Sequence, residues 1–170
     1  MRTSMKGLMA LALLSASAPA FAQDAEGPPS DITVSGSVTL VSDYRFRGAS
    51  LSDEDIAVQG GITVGHSSGF YVGTWASSID GGSYSHTELD LFAGYGAEVA
   101  PGTSIDVGLL YYTYPNGSGT TDYFEPYASI KTTIGPASAK FGVAYAWDQA
   151  ATGSDDNIYL FTDLGVGIPD

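Results

Sequence analysis

Ile32-Thr33-Val34-Ser35-Gly36-Ser37-Val38-Thr39-Leu40-Val41-Ser42-Asp43-Tyr44-Arg45-Phe46-Arg47 alternates with hardly a break. Its even positions carry Ile, Val, Gly, Val, Leu, Ser, Tyr and Phe; its odd positions carry Thr, Ser, Ser, Thr, Val, Asp, Arg and Arg. A period of two is that of a β-strand, whose successive side chains point to opposite faces, so this run predicts one strand with an apolar and a polar face.

The pattern repeats down the chain. Ile56, Val58, Ile62 and Val64 oppose Ala57, Gln59 and Thr63; Leu89, Leu91, Ala93, Tyr95 and Ala97 oppose Glu88, Asp90 and Glu98. Ile105, Val107, Leu109 and Tyr111 oppose Asp106, and Phe124, Ala128 and Ile130 oppose Glu125, Tyr127 and Lys131. Two further runs set Ala139, Phe141, Val143, Tyr145 and Trp147 against Lys140, then Ile158, Leu160, Leu164 and Val166 against Asp163. Only Phe70 to Ile79 is ambiguous, because Tyr71 and Trp75 oppose Phe70 and Val72. The charged residues of the runs, Asp43, Arg45, Arg47, Glu88, Asp90, Asp106, Glu125, Lys131, Lys140 and Asp163, all fall opposite the apolar face.

Alternation alone fits a soluble sandwich, with the apolar face inside, and a membrane barrel, with the apolar face outside. The connections separate the two. Gly48–Asp55, Asp80–His86, Pro115–Thr121 and Asp148–Asp156 are long, and Ser67–Gly69, Ala100–Gly102 and Gly135–Ala137 are short, in strict alternation. Short periplasmic turns and longer outer loops are the habit of outer-membrane barrels, whereas the Greek-key crossings of sandwiches mix the two ends. The predicted fold is an all-β, antiparallel, up-and-down transmembrane β-barrel with about eight strands in this chain. Tyr44, Phe46, Tyr111, Phe124, Tyr145 and Trp147 cluster beside the long loops. They are expected to form an aromatic girdle at headgroup depth.

The N-terminus agrees with export. Arg2 and Lys6 precede an apolar stretch from Gly7 to Ala18 and the small-x-small box Ala20-Phe21-Ala22, a signal-peptide pattern with cleavage after Ala22. The expected organisation is a signal peptide over 1–22, a periplasmic segment over 23–31 and a barrel over 32–170. No run is long and apolar enough for a membrane helix of roughly 20 residues. After cleavage four basic residues face 19 acidic ones, a net charge of −15 that makes nucleic acid a poor partner. The absence of cysteine removes disulfides and thiol-ligated metals from consideration. The richness in aromatic residues excludes a disordered acidic tail.

Ser42-Asp43-Tyr44-Arg45-Phe46-Arg47-Gly48-Ala49-Ser50-Leu51-Ser52-Asp53, followed by Gln59-Gly60-Gly61, resembles the opening signature of the TorF family of porins. The later blocks Gly69 to Ser77, Glu88 to Tyr95, Tyr111 to Pro115 and Asn157 to Leu160 resemble that family's in the same order, so the likeness covers nearly all of the mature chain. It implies an outer-membrane barrel of Gram-negative bacteria that passes small solutes. Members of that family generally run on past the Ile-Pro element, here Ile168-Pro169. The chain is therefore expected to be a C-terminally shortened member, the alternative being that eight strands close alone into a small barrel filled by side chains.

Arg45 and Arg47, two apart and facing one lumen with Asp43, are read either as half of a charged constriction opposite Glu88, Asp90, Asp106 and Glu125 or as interior ion pairs with those acids. Two acids in excess over the four basic residues of the expected wall imply a mild preference for cations. Asp53 and Asp55, with Asp155 and Asp156, are weak candidates for a divalent cation, best read as solvated loop acids that bridge loosely to lipid headgroups. His66 and His86 fall at opposite rims and cannot share a metal. No catalytic set is found; His86 beside Asp80, Glu88 and nearby serines is the nearest approach to one. The expectation is a cofactor-free, non-enzymatic porin in the outer membrane, whose partners are membrane lipid, lipopolysaccharide and small solutes. A filled barrel acting as anchor or adhesin through its acidic loops, and a secreted lipocalin-like ligand binder, are the alternatives.

Overall fold

Runs of alternating residues become strands where a glycine is available to turn the chain. The computed structural model describes residues 31–81 and 85–167, so the expected signal peptide and Ile168-Pro169 lie outside the described residues. Eight long strands form one antiparallel sheet: β1 (Ile32–Val41), β4 (Ala57–His66), β5 (Phe70–Ser78), β6 (Thr87–Ala100), β7 (Thr103–Thr113), β8 (Tyr123–Ile134), β9 (Ala137–Ala146) and β10 (Asn157–Val166). Each pairs with the next in chain order, a plain meander. The three short turns each hold a glycine at positive φ, Gly69 at 98°, Gly102 at 72° and Gly135 at 57°, where a side chain would be strained. The long connections lie at the other end, as expected. No described helix is long and apolar enough to cross a membrane.

Register puts the charged positions of the strand bodies on one face. Gln59, Ser77 and Glu88 are opposite one another across β4, β5 and β6, and Asp90, Tyr112 and Tyr123 across β6, β7 and β8. This polar face is the inner one: Glu88 is 0% exposed, Glu125 2% and Asp90 7%. The apolar face is outside, with Val38 82% and Leu164 77% exposed and Ile62, Phe70, Val72, Leu91, Ile130, Phe141 and Leu160 likewise open. Burial is thus inverted relative to a water-soluble domain. The ambiguous fifth strand is settled by its partners, since Tyr71 faces Gly94 and Trp75 faces Gly61 inside, leaving Phe70 and Val72 outside.

Glycine on the inner face makes room for the rings beside it. Gly73 is opposite Phe92, Gly94 opposite Tyr71, Gly108 opposite Tyr127 and Gly142 opposite Phe161, and a Cβ at each would collide with the ring across from it. Large rings laid over bare backbone fill the concavity while the sheet curls.

Two expectations are corrected here. The opening run is not one strand to Arg47: β1 stops at Val41, and a small hairpin, β2 (Arg45–Phe46) and β3 (Ala49–Ser50), follows. Arg47 at φ 49° and Gly48 at φ 91° form its two-residue turn, both in the left-handed region that tight hairpins of this kind use. Asp43 breaks the strand by gathering the Ser50 hydroxyl at 2.6 Å and the Arg45 Nε at 2.5 Å, while the Tyr44 amide donates to Ser52 Oγ at 2.9 Å. The second correction concerns closure. Among the described residues β1 and β10 each have a single strand neighbour, so the eight described strands form a curled sheet with two free edges and not a closed ring.

Replacing Gly142 with Ala is expected to cost about 1–3 kcal/mol, as overpacking does. Phe161→Leu in the same chain should recover part of that loss in urea unfolding from detergent. Unchanged stability of the single variant would contradict the ring-over-glycine account.

Candidate functional site

The inner face is most densely polar at the loop end, beneath the β2–β3 hairpin. Arg47 turns inward from the hairpin tip, and its Nη2 lies 2.6 Å from both Glu125 oxygens. Nη1 donates to Asn157 Oδ1 at 3.4 Å, and the guanidinium lies 4.6 Å from the Phe46 ring centre and 4.2 Å from that of Tyr159. One side chain therefore ties the hairpin, β8 and the start of β10 together. Burial is the largest single influence and works against the Arg47 charge, but the hydrogen bond and negative charge of Glu125, with Tyr112 and Tyr123, together outweigh it and raise the pKa of the guanidinium. Tyr112 donates to Glu125 Oε2 at 3.1 Å and stacks on Tyr123 at 4.5 Å.

Across the chamber stand Glu88 and Asp90. Among the described residues neither Glu88 oxygen nor Asp90 Oδ1 has a hydrogen-bond partner. Tyr44 closes this side from above, buried with Ala57 and Ile79 and edge-on to Trp75 at 5.5 Å. Burial, and then the negative charges of Glu88 and Asp90, push the Tyr44 pKa far above its usual value, which keeps the phenol neutral. Deeper in, Tyr71 donates to Asp106 at 2.8 and 3.0 Å and meets the Tyr127 hydroxyl at 2.5 Å. Near the short turns Lys140 lies between Lys131 and Asp163 in register, with its Nζ 5.5 Å from the Phe161 ring centre.

The expected wall residues divide accordingly. Glu88, Asp90, Asp106, Glu125, Lys140 and Asp163 lie on the inner face; Lys131 shares that face by register but is exposed. Asp43, Arg45 and Arg47 depart from the expectation of one lumen row, because the strand ends before them. Arg47 alone enters the chamber, whereas Arg45, 47% exposed, stays at the rim and binds Asp43 at 2.5 Å and Glu54 at 3.3 Å. The Ser50 hydroxyl, followed by Arg45, holds the Asp43 carboxyl below its ordinary range.

The expected girdle is corrected in the same way. Tyr111, Phe124 and Trp147 do form an outer stack beside the long loops, with centroid distances of 4.4 and 6.2 Å, and Tyr145 shares their face while donating to Asp156 at 3.0 Å. Tyr44 and Phe46 instead turn inward, Phe46 packing edge-on to Tyr112 at 5.6 Å. Tyr112, Tyr123, Tyr71 and Trp75 were missed as chamber residues. For Tyr112 and Tyr123 the parity with Asp106 and Glu125 was the available signal, outweighed by their nearness to the long loops, whereas Tyr71 and Trp75 fall in the run whose faces the sequence leaves open.

The loop acids Asp53, Asp55, Asp155 and Asp156 are exposed, and Asp156 braces its own loop by accepting from the Asp148 amide at 2.8 Å. Among the described residues no three His, Asp or Glu side chains converge to hold a metal ion. His86 lines an outer depression of about 260 Å³ with Ser52, Asp55 and Asp80, but Ser52 Oγ accepts from the Tyr44 amide and donates to the Asp55 carbonyl, a structural role.

The model of a family described as bacterial protein of unknown function (Gcw_chp) matches residues 25–170, and the chain belongs to that family. No curated protein and no solved structure matches it.

Arg47→Ala leaves Glu125 buried and unpaired, which is expected to cost about 3 kcal/mol, the low end for a broken buried pair because Arg47 keeps some exposure. Glu125→Gln added to that variant should restore most of the loss. Additive losses in this double-mutant cycle would show that the two residues do not act as a pair.

Proposed function

We propose that this Gcw_chp-family chain forms the wall of an outer-membrane β-barrel that lets small solutes diffuse across, with a preference for cations. The observation that carries the reading is the inverted burial, an open apolar surface on nearly every strand and buried carboxylates within. In water that arrangement exposes what water rejects and dehydrates what it solvates. Against lipid both placements become favourable, since a charge on the outer face would cost about 2–4 kcal/mol at the midplane. A secreted lipocalin-like barrel needs the reverse placement, with its apolar face lining a ligand cavity. The stacked Tyr111, Phe124 and Trp147 at the loop end give an amphipathic belt of the kind that rests at headgroup depth. The resemblance to TorF porins and the signal-like N-terminus support the same location.

Hydrocarbon adds a requirement. Each unpaired backbone group in it costs several kcal/mol, so the free edges of β1 and β10 must be paired in the membrane, by each other or by additional strands. The width of the passage follows from which of these occurs, since eight strands alone enclose room for side chains and little more. The rings that fill the inner face favour a second reading, a small plugged barrel serving as an anchor with its acidic loops outside.

Cells expressing the full chain should carry the mature protein in the outer-membrane fraction, with different gel mobility before and after boiling. Ile62→Arg, on the open apolar face, should impair insertion by about 2–4 kcal/mol. Planar bilayers should show cation-favouring conductance. Silent bilayers with an inserted, heat-modifiable protein would favour the plugged anchor; recovery as a soluble periplasmic protein that tolerates Ile62→Arg would overturn the membrane reading.

A further inference from the structure

We infer that Glu88 and Asp90 together bind one small monovalent cation inside the chamber. The two residues lie on β6, on the same inner face, two positions and therefore roughly 6.7 Å apart along the strand, a span that two carboxylates can close around one ion. Glu88 is fully buried and, among the described residues, neither of its oxygens nor Asp90 Oδ1 has a hydrogen bond of close geometry or a basic partner, the Tyr44 phenol being the one donor near Glu88. A buried carboxylate with neither hydrogen bond nor counter-charge is strongly unfavourable, so the site needs a positive charge from somewhere.

The described residues do not supply it. Of the four basic residues in the described part of the chain, Arg45 is engaged by Asp43 and Glu54, and Arg47 by Glu125. Lys131 and Lys140 sit near the short turns, opposite Ser104 and Asp163 in register. A metal cation to match them, if the carboxylates are not simply protonated, comes from solution. Its surroundings are oxygen-rich: Ser77 is directly opposite Glu88, Gln59 is the next residue across, and the Tyr44 phenol covers the site. Oxygen donors select hard ions. With Glu125 committed to Arg47 and Tyr112, two carboxylates remain, and among the described residues no third His, Asp or Glu converges with them. Potassium or sodium fits that donor set. The binding claim stands on the chamber itself, and only its part in cation passage rests on the porin reading.

The test is thermal unfolding of the folded full chain in detergent, at fixed pH and ionic strength, in potassium chloride and in N-methylglucamine chloride, whose cation is too large to enter. The midpoint is expected to be higher in potassium. Glu88→Gln with Asp90→Asn should remove the difference and unfold higher than the parent in N-methylglucamine, while Asp53→Asn with Asp55→Asn in the outer loop should keep it. Should the inner double variant not fold, sodium-23 linewidths of the parent, broadened by the protein and narrowed by added potassium, measure the same site. A midpoint indifferent to the cation overturns the inference. So does an indifferent midpoint that rises on acidification, which would put a proton there instead. A cation dependence lost in the inner variant, with no conductance from either protein, keeps the site and removes the porin reading.

Discussion

The structure depends on one constraint: the charges of the strand bodies share a single face of the eight-stranded sheet, and the sheet curls around it. Once Glu88, Glu125 and Asp90 are inside, the opposite face must be apolar to meet something other than water. Inside, each carboxylate then needs its own answer to desolvation. Glu125 is met by Arg47 and Tyr112, Asp106 by Tyr71, and Glu88 by the Tyr44 phenol alone, with no basic side chain among the described residues. The architecture of the chamber is largely a record of how those demands are distributed.

Filling the concavity is the second demand, and glycine answers it. Phe161 over Gly142 and Tyr71 over Gly94 let a large ring lie flat against a neighbouring strand, which a side chain at either glycine would prevent. The same rings narrow whatever space the strands enclose. Arg47 links this interior to the rim, since it joins the β2–β3 hairpin to β8 and reaches Asn157 and Tyr159 on the free edge strand β10. The edge strand β10 is thus tied at the loop end to the hairpin that follows β1, by a cation held between rings.

Strands, turns and faces were legible in the sequence because each rests on local chemistry. Period two names a strand, a glycine beside a polar residue names a tight turn, and the parity of Asp106 or Glu125 names the face. What could not be read required contacts between residues distant in the chain. Asp43 ends β1 because Ser50 and Ser52 come back to it, and the alternation itself runs on unbroken through that point. Tyr44 and Phe46 therefore looked like girdle residues and lie inside, and Arg45 and Arg47 looked like neighbours on one wall and part company. Tyr71 and Trp75 were undecidable within β5, because only Gly94 and Gly61 on the adjoining strands give their rings room. Closure was unreadable for a similar reason. An edge strand and an interior strand of a meander share one pattern, and β1 alternates as cleanly as any strand while pairing on one side only.

The most direct test uses a convenience of the chain, its lack of cysteine. Ile130 and Ser129 are adjacent on β8, Ile130 on the open apolar face and Ser129 on the inner one. Single Ile130→Cys and Ser129→Cys variants, labelled with an environment-sensitive fluorophore and folded into lipid vesicles, report what each face meets. The account predicts strong quenching of the Ile130→Cys label by lipids bearing a nitroxide on the acyl chain, and weak quenching of the Ser129→Cys label. The reverse order, or equal quenching of both by a water-soluble quencher, would contradict an apolar face turned toward lipid.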